Sequence, residues 1–456
     1  MPRKAVFVLF LAITGPAHAL TLAEALEAGL QNSPKLQKSE AALEAARSRY
    51  EQSSAGDWPT LTGSVNYLLD KKYAYLDFQL PGSPAPLSIP QIIPTTVAEL
   101  DARYALFDGF ITRHHRQAAE SLVRAAEDDV AWTRFQLQRS ITLQFYRALG
   151  AQALRQVSER NLSTIEDHLR DVGLFKRAGL STQYDVLRVE VQASEAKSDL
   201  MNAIDNIEIA KGELSETLGL EESKEPAGEL PVLTAGLIQD LHLSSLEERR
   251  DLQALQHQRD SLTDEKKSVE GSYWPRLSLM GQYQYYNNRT DGFNDTSNFR
   301  DAFFIGLQLN WALFDGFSTG GRVKEIMQEG LQTEKNLRLE NLKAKQNFDI
   351  WRRKYLYNCS LYSSRLNDIE KASESVRLAQ EGRKVGSRTN SDLLDAESEL
   401  FRARAGAVYA QVSAIEALIN LELASGKNLF PSSPEKANPE KASPEKTSPE
   451  QAKEKE

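Results

Sequence analysis

Apolar and polar residues alternate along four short stretches of the chain. Leu61, Val65, Tyr67 and Leu69 fall on one face, with Thr62, Ser64 and Asn66 opposite. Ala98, Leu100, Ala102, Tyr104 and Leu106 are set against Glu99, Asp101 and Arg103. The pattern returns with Leu277, Leu279, Tyr283 and Tyr285 against Ser278, Gln282 and Gln284. It returns again with Ile305, Leu307, Leu309, Trp311 and Leu313 against Gly306, Gln308 and Asn310. A strict period of two over about ten residues predicts strands with one apolar face. A barrel strand with lipid on one side and a polar lumen on the other makes this pattern, and so does a soluble sheet with one wet face.

The remaining pattern is helical. Thr21-x-x-Glu24 forms a capping box, so the spacing predicts a helix from there to about Ala55. From Ile111 to Lys176 there is no proline, and a counterpart runs from Thr319 to Lys384. A continuous helix of that length extends roughly 100 Å at 1.5 Å per residue, far longer than a compact soluble core needs. After each long helix a second one carries a heptad seam. Ala396, Leu400, Ala403, Ala407, Ala410, Ala414, Ala417, Leu421 and Ala424 are spaced alternately four and three apart. So are Val189, Ala193, Ala196, Leu200, Ala203, Ile207, Ala210, Leu214 and Thr217. A seam this rich in alanine lets backbones approach closely, which suits helices laid side by side into a wall.

The two seams are one pattern repeated at an offset of 207 residues. Tyr104 to Phe110 reads YALFDGF and Trp311 to Phe317 reads WALFDGF; Gly179, Thr182, Asp185 and Leu187 recur as Gly386, Thr389, Asp392 and Leu394. One offset held over such a span is a duplication. Upstream, Trp58-Pro59-x-Leu61 matches Trp274-Pro275-x-Leu277 at an offset of 216, so the first half has nine extra residues, assigned to the loop Asp70 to Thr96. The chain therefore divides into a first repeat at 20–225 and a second at 226–430. Before them, residues 1–19 read as a secretory signal, with Arg3 and Lys4, the apolar run Ala5 to Ile13 and the site Ala17-His18-Ala19. After them, residues 431–456 form a Pro/Glu/Lys-rich tail with prolines five apart and nothing to bury, which is expected to be disordered.

Composition narrows the function. No run reaches the roughly 18 consecutive apolar residues of a membrane helix, which leaves a β-barrel open. Removing Arg3 and Lys4 takes the net charge from −9 to −11, and so acidic a chain disfavours nucleic acid. Cys359 is the only cysteine, so no internal disulfide is possible. His114 and His115 are adjacent and diverge on a helix, and Gly320-Gly321 form no phosphate loop. No catalytic group, cofactor or metal site is expected, and transport would be passive. Four strands cannot close a barrel, whereas three copies would supply twelve.

Two halves, each a strand pair set in long helices with Phe-Asp-Gly-Phe after its second strand, resemble the TolC family of outer-membrane efflux and secretion ducts. The resemblance covers Leu20 to about Phe430. It implies a mainly α fold with a membrane β-barrel: a homotrimer with a twelve-stranded barrel in the outer membrane of a Gram-negative bacterium, four strands per chain. A long α-helical barrel continues it through the periplasm, with an equatorial helical region that takes in Glu225 to Leu243 and the C-terminal region. Leu20, where a lipidated member has cysteine, fits the non-lipidated branch. The implied partners are outer-membrane lipid, a periplasmic adaptor (membrane fusion protein), and an inner-membrane pump or ABC transporter, as in tripartite efflux or type I secretion.

The resemblance also assigns residues. Ala178, Gly179 and Leu180 with Val385, Gly386 and Ser387 match the tips that face the adaptor. Asp392 and Asp395 match the acidic pair lining the periplasmic aperture; three copies would bring six carboxylates together, favouring cations and raising one another's pKa. Asp185 and Arg388 match the link that holds the mouth shut, and Arg383 stands where the family has a tyrosine. A closed resting state held by Asp185 with Arg388 or Arg383 is expected. The main alternative is a periplasm-spanning coiled-coil protein without a duct, which the duplicated strand pairs count against; an adaptor would carry one hairpin, not two, and an enzyme lacks a site.

Overall fold

The structure is a computed structural model, and it describes residues 20–68, 73–92, 96–239, 241, 249–287 and 299–430. The signal at 1–19, the tail at 431–456 and part of the equatorial stretch lie outside these residues. Thirteen helices and strands follow one another among them. The first repeat contributes α1 (Leu22–Asn32), α2 (Pro34–Ser53), β1 (Thr60–Tyr67), β2 (Tyr73–Phe78), β3 (Leu87–Ile92), β4 (Thr96–Phe107), α3 (Ile111–Arg177) and α4 (Gln183–Leu218). The second contributes α5 (Arg250–Glu270), β5 (Arg276–Asn287), β6 (Phe299–Asn310), α6 (Ser318–Lys384) and α7 (Asn390–Ser425). Both long helices have 67 residues and both return helices 36, so the duplication extends to element length.

Two differences from the sequence reading have local causes. The expected first helix is two helices, because Pro34 disfavours helical geometry at Ser33, which sits at φ −65° and ψ 117° and ends α1. Pro34 then serves as the first residue of α2, where its missing N–H costs nothing. The loop at Asp70 to Thr96 contains a separate hairpin, β2 paired with β3. Pro90 lies in β3 opposite Tyr75 and is tolerated because β3 has a neighbour on one side only.

The chain forms two compact units. The first takes residues up to Phe145, then 208–227 and 243–346. Its four-stranded antiparallel sheet has the order β1-β4-β5-β6. Leu61, Ala102, Gly281 and Ile305 share one row across it; Gly63, Leu100, Tyr283 and Phe303 share another. Ile305 is 77% exposed and Phe303 75%, so among the described residues nothing covers this face. The opposite face is polar and internally bonded: Gln282 donates to Asp101 at 2.9 Å and Gln284 to Glu99 at 2.8 Å. Among the described residues β1 and β6 each lack a second neighbour, which leaves two open edges.

At the foot of the strands the Phe-Asp-Gly-Phe turns coincide in detail. Asp108 accepts from the Thr112 N–H at 2.7 Å, and Asp315 from the Thr319 N–H at 2.8 Å, so each aspartate satisfies a free donor in the first turn of a long helix. Phe107 and Phe110 meet edge to face at 5.4 Å, as do Phe314 and Phe317. Phe110 and Phe317 hold the left-handed region at φ 66° and 67°. Elsewhere in this unit Leu20 pairs with the backbone beside Pro226, and Gly29 lies against Ile141 and Leu218.

The second unit takes 146–207, 228–242 and residues from Asn347 onward, and is helical. Ile165, Val172, Val189, Ala196 and Leu394 form one buried cluster. Most of the α7 seam is buried, including Ala403, Ala407, Ala410, Ala414, Ala417, Leu421 and Ala424. The segment from 228 is pinned by Gln411 on the Leu230 carbonyl at 3.0 Å and by the Tyr355 hydroxyl on the Thr234 carbonyl at 2.8 Å.

Candidate functional site at the hairpin turns

Within the second unit α3 turns into α4 and α6 into α7, and the two turns use the same bonds. Leu180 N–H donates to the Phe175 carbonyl at 2.8 Å and Gly179 N–H to Lys176 at 3.0 Å. Ser387 N–H donates to Gly382 at 2.8 Å and Gly386 N–H to Arg383 at 3.1 Å. These paired bonds are the Schellman closure, which places its glycine left-handed; Gly179 has φ 77° and Gly386 φ 74°. Ala178, Gly179, Leu180, Val385, Gly386 and Ser387 are all exposed, as a docking tip requires.

The next helices open with matched caps. Asp185 accepts from the Thr182 N–H at 2.9 Å and hydroxyl at 2.6 Å, and from the Ser181 hydroxyl at 3.1 Å. Asp392 accepts from the Thr389 N–H at 2.8 Å, while the Thr389 hydroxyl accepts from the Asp392 N–H at 3.1 Å. The Thr182 hydroxyl and N–H hold the Asp185 carboxyl below the usual carboxylate range, with Arg188 adding to the effect. The Thr389 bonds do the same for Asp392, helped by the Arg388 charge. The expectation of raised values rested on repulsion among copies; inside one chain these bonds act in the other direction.

Between the turns lies an open cleft of about 860 Å³. It brings together Leu180, Asp185, Arg383, Gly386 and Arg388 from the expected set, without an ion pair from either arginine to Asp185 among the described residues. Arg383 is occupied elsewhere: its guanidinium lies 5.1 Å from the Phe175 ring centroid, and its Nη1 is 3.3 Å from His168 Nε2. His168 is buried and meets buried Glu397 through Nδ1 at 3.3 Å, with the Asn390 side chain against its other nitrogen. The His168 ring, on the first hairpin, thus meets Glu397, Asn390 and Arg383 of the second, each through a ring nitrogen.

Asp395 is exposed and pairs with Arg188, Nη2 to Oδ1 at 3.3 Å; Arg188 also donates to Ser391. Sequence reasoning missed Arg188, His168, Asn390 and Glu397. For Arg188 a signal exists, because it lies 207 residues before Asp395: equivalent positions of the two repeats carry opposite charges and meet. His168 carries no comparable signal, since residue 375, its repeat counterpart, is serine.

Residues 25–220 and 243–427 match the model of a family described as outer membrane efflux protein. The chain is 23% identical over 424 residues to the outer membrane efflux protein BepC of Brucella suis, covering 91% of this chain and 87% of BepC. It is 25% identical over 321 residues to the outer membrane protein TolC of Vibrio cholerae, 68% of this chain and 72% of that one. The fold superposes on the outer membrane protein VceC from Vibrio cholerae with a TM-score of 0.74 at 19% identity, over 90% of this chain and 96% of VceC.

Proposed function

The chain belongs to the outer membrane efflux protein family, as an efflux channel of the Gram-negative outer membrane, and from that premise we propose that it works as the passive duct of a tripartite assembly. Three copies join their four-stranded sheets edge to edge into a twelve-stranded barrel. The observation that carries this is the sheet itself: one face exposes Ile305, Leu307 and Leu309, the other is polar, and the outer edges of β1 and β6 have no strand partner among the described residues. An open edge in hydrocarbon leaves backbone groups unsatisfied at several kcal/mol each, so closure by further copies is the arrangement lipid permits. The channels of this family are not enzymes. Energy and cargo choice would come from an inner-membrane pump or ABC transporter.

The six tip residues face a periplasmic adaptor; their exposure and rigid Schellman geometry support that role. Asp392 and Asp395 line the periplasmic aperture. The closed state is held between copies by Arg388 with Asp185, because Arg383 is engaged with Phe175 and His168 inside its own chain.

Native mass spectrometry of the full chain in detergent, with planar-bilayer conductance, tests the reading. A trimer that conducts is expected. A monomer with no conductance in lipid overturns it, and a non-conducting coiled-coil oligomer would favour a structural role. Arg388→Ala is expected to raise the open fraction, and Arg383→Ala to leave it near the native level.

A further inference from the structure

We propose that Arg188 sets the charge selectivity of the periplasmic aperture, by offsetting Asp395 so that the mouth does not present six free carboxylates. This rests on the reading that places Asp392 and Asp395 at that aperture.

The geometry supplies the reason. Asp395 is the more exposed of the two aspartates, with 71% of its side chain accessible, so it is the carboxylate a passing ion meets most openly. Arg188 reaches it from the first hairpin at 3.3 Å and is steadied by Ser391 one turn earlier on α7. A surface ion pair adds little stability. Its effect on a permeating ion does not depend on that, because the guanidinium charge stays beside the carboxylate whether or not the hydrogen bond is formed at a given instant. Within a Debye length of about 10 Å at 0.1 M salt, an ion senses the sum of the two charges, not Asp395 alone.

Arg188 also lies one turn from Asp185, whose carboxyl is held ionised mainly by the Thr182 bonds, with the Arg188 charge a smaller addition. Arg388 stands in the same relation to Asp392. Among the five groups Arg188, Arg388, Asp185, Asp392 and Asp395 of each chain, two are cationic and three anionic, which leaves one net negative charge in that set. Selectivity should then be weakly cationic, and bulky anionic cargo would meet a lower barrier than six bare carboxylates impose.

The test is the reversal potential of the full-length native channel and its variants in planar bilayers under a KCl gradient. Arg188→Gln is expected to raise the cation-to-anion permeability ratio at least about twofold, since one charge per copy is removed from the constriction. Asp395→Asn should move the ratio the other way, the double variant should return it close to native, and Arg188→Lys should preserve it. The lysine variant separates charge from packing. If Asp392→Asn and Asp395→Asn shift the ratio while Arg188→Gln does not, the role of Arg188 is overturned and the aperture reading stands. If none of these variants shifts it, the aperture reading itself fails and takes this inference with it.

Discussion

Removing the His168 ring while leaving Glu397 in place gives the sharpest test of how the two hairpins are tied. His168 is 4% exposed and Glu397 6%, and their 3.3 Å contact is the bond that compensates the buried carboxylate. His168→Leu puts an apolar side chain of moderate size in the space but leaves Glu397 and Arg383 without their contacts to the ring. Losing a hydrogen bond to a charged group costs about 1.5–3 kcal/mol, and stranding a buried charge reaches about 3–5 kcal/mol. Arg383 can still rest on Phe175, and the cleft admits water, so about 2–3 kcal/mol is the reasonable expectation. That free energy should appear locally as about 30- to 150-fold faster amide hydrogen exchange in the first turns of α7 and around 165–172 in α3. The double variant His168→Leu with Glu397→Leu should recover much of the loss, because both partners are then apolar. Exchange measured on the purified full-length channel by mass spectrometry decides the matter. Unchanged protection in both segments of His168→Leu, or a double variant worse than the sum of the singles, would refute the reasoning.

Three further outcomes follow from the same structure. Asp185 and Asp392 have lowered folded-state pKa values, so the stability they contribute is present above their ordinary value of 3.8 and is lost as pH falls below it; amide protection at the helix starts, taken relative to the intrinsic exchange rate at each pH, should match between pH 7 and pH 5 and fall only in stronger acid, and a loss of protection already at pH 5 would contradict this. Gly179→Ala and Gly386→Ala meet no neighbouring atoms within 4 Å, so each should cost only the left-handed backbone penalty of about 1–2 kcal/mol, read as local fraying in exchange experiments with the fold intact by circular dichroism. Leu307→Arg, on the exposed apolar face of β6, should cost about 2–4 kcal/mol in lipid and lower the yield of assembled channel, whereas Gln308→Arg on the opposite face should assemble normally; equal yields would argue against lipid on the Leu307 face.

What the sequence determined is what local rules control. The strand faces were readable because a period of two sorts side chains whatever the strand packs against, and the register Leu61–Ala102–Gly281–Ile305 keeps the apolar residues in line. The helix start at Thr21 and the turn glycines at 179 and 386 were equally legible, since a cap or a Schellman turn is built from residues three to five apart. The proline at residue 34 was a visible breaker, yet the expected helix ran through it. The duplication carried the rest, down to the paired phenylalanines at 107 and 110 and at 314 and 317.

Partner choice among charged side chains belonged to the tertiary structure alone. Arg383 and Arg388 read as equal candidates for Asp185, yet Arg383 is drawn to Phe175 and His168, more than 200 residues away, while Asp185 is satisfied by Thr182 and Ser181 beside it. Arg188 met Asp395 across the hairpins, and the extra residues after β1 closed into a hairpin of their own. The physical reason is reach. Backbone conformation is set by neighbours a few residues apart, so it is written locally in the sequence. A flexible arginine samples every acceptor within its radius, and only the packed helices decide which acceptors fall inside it.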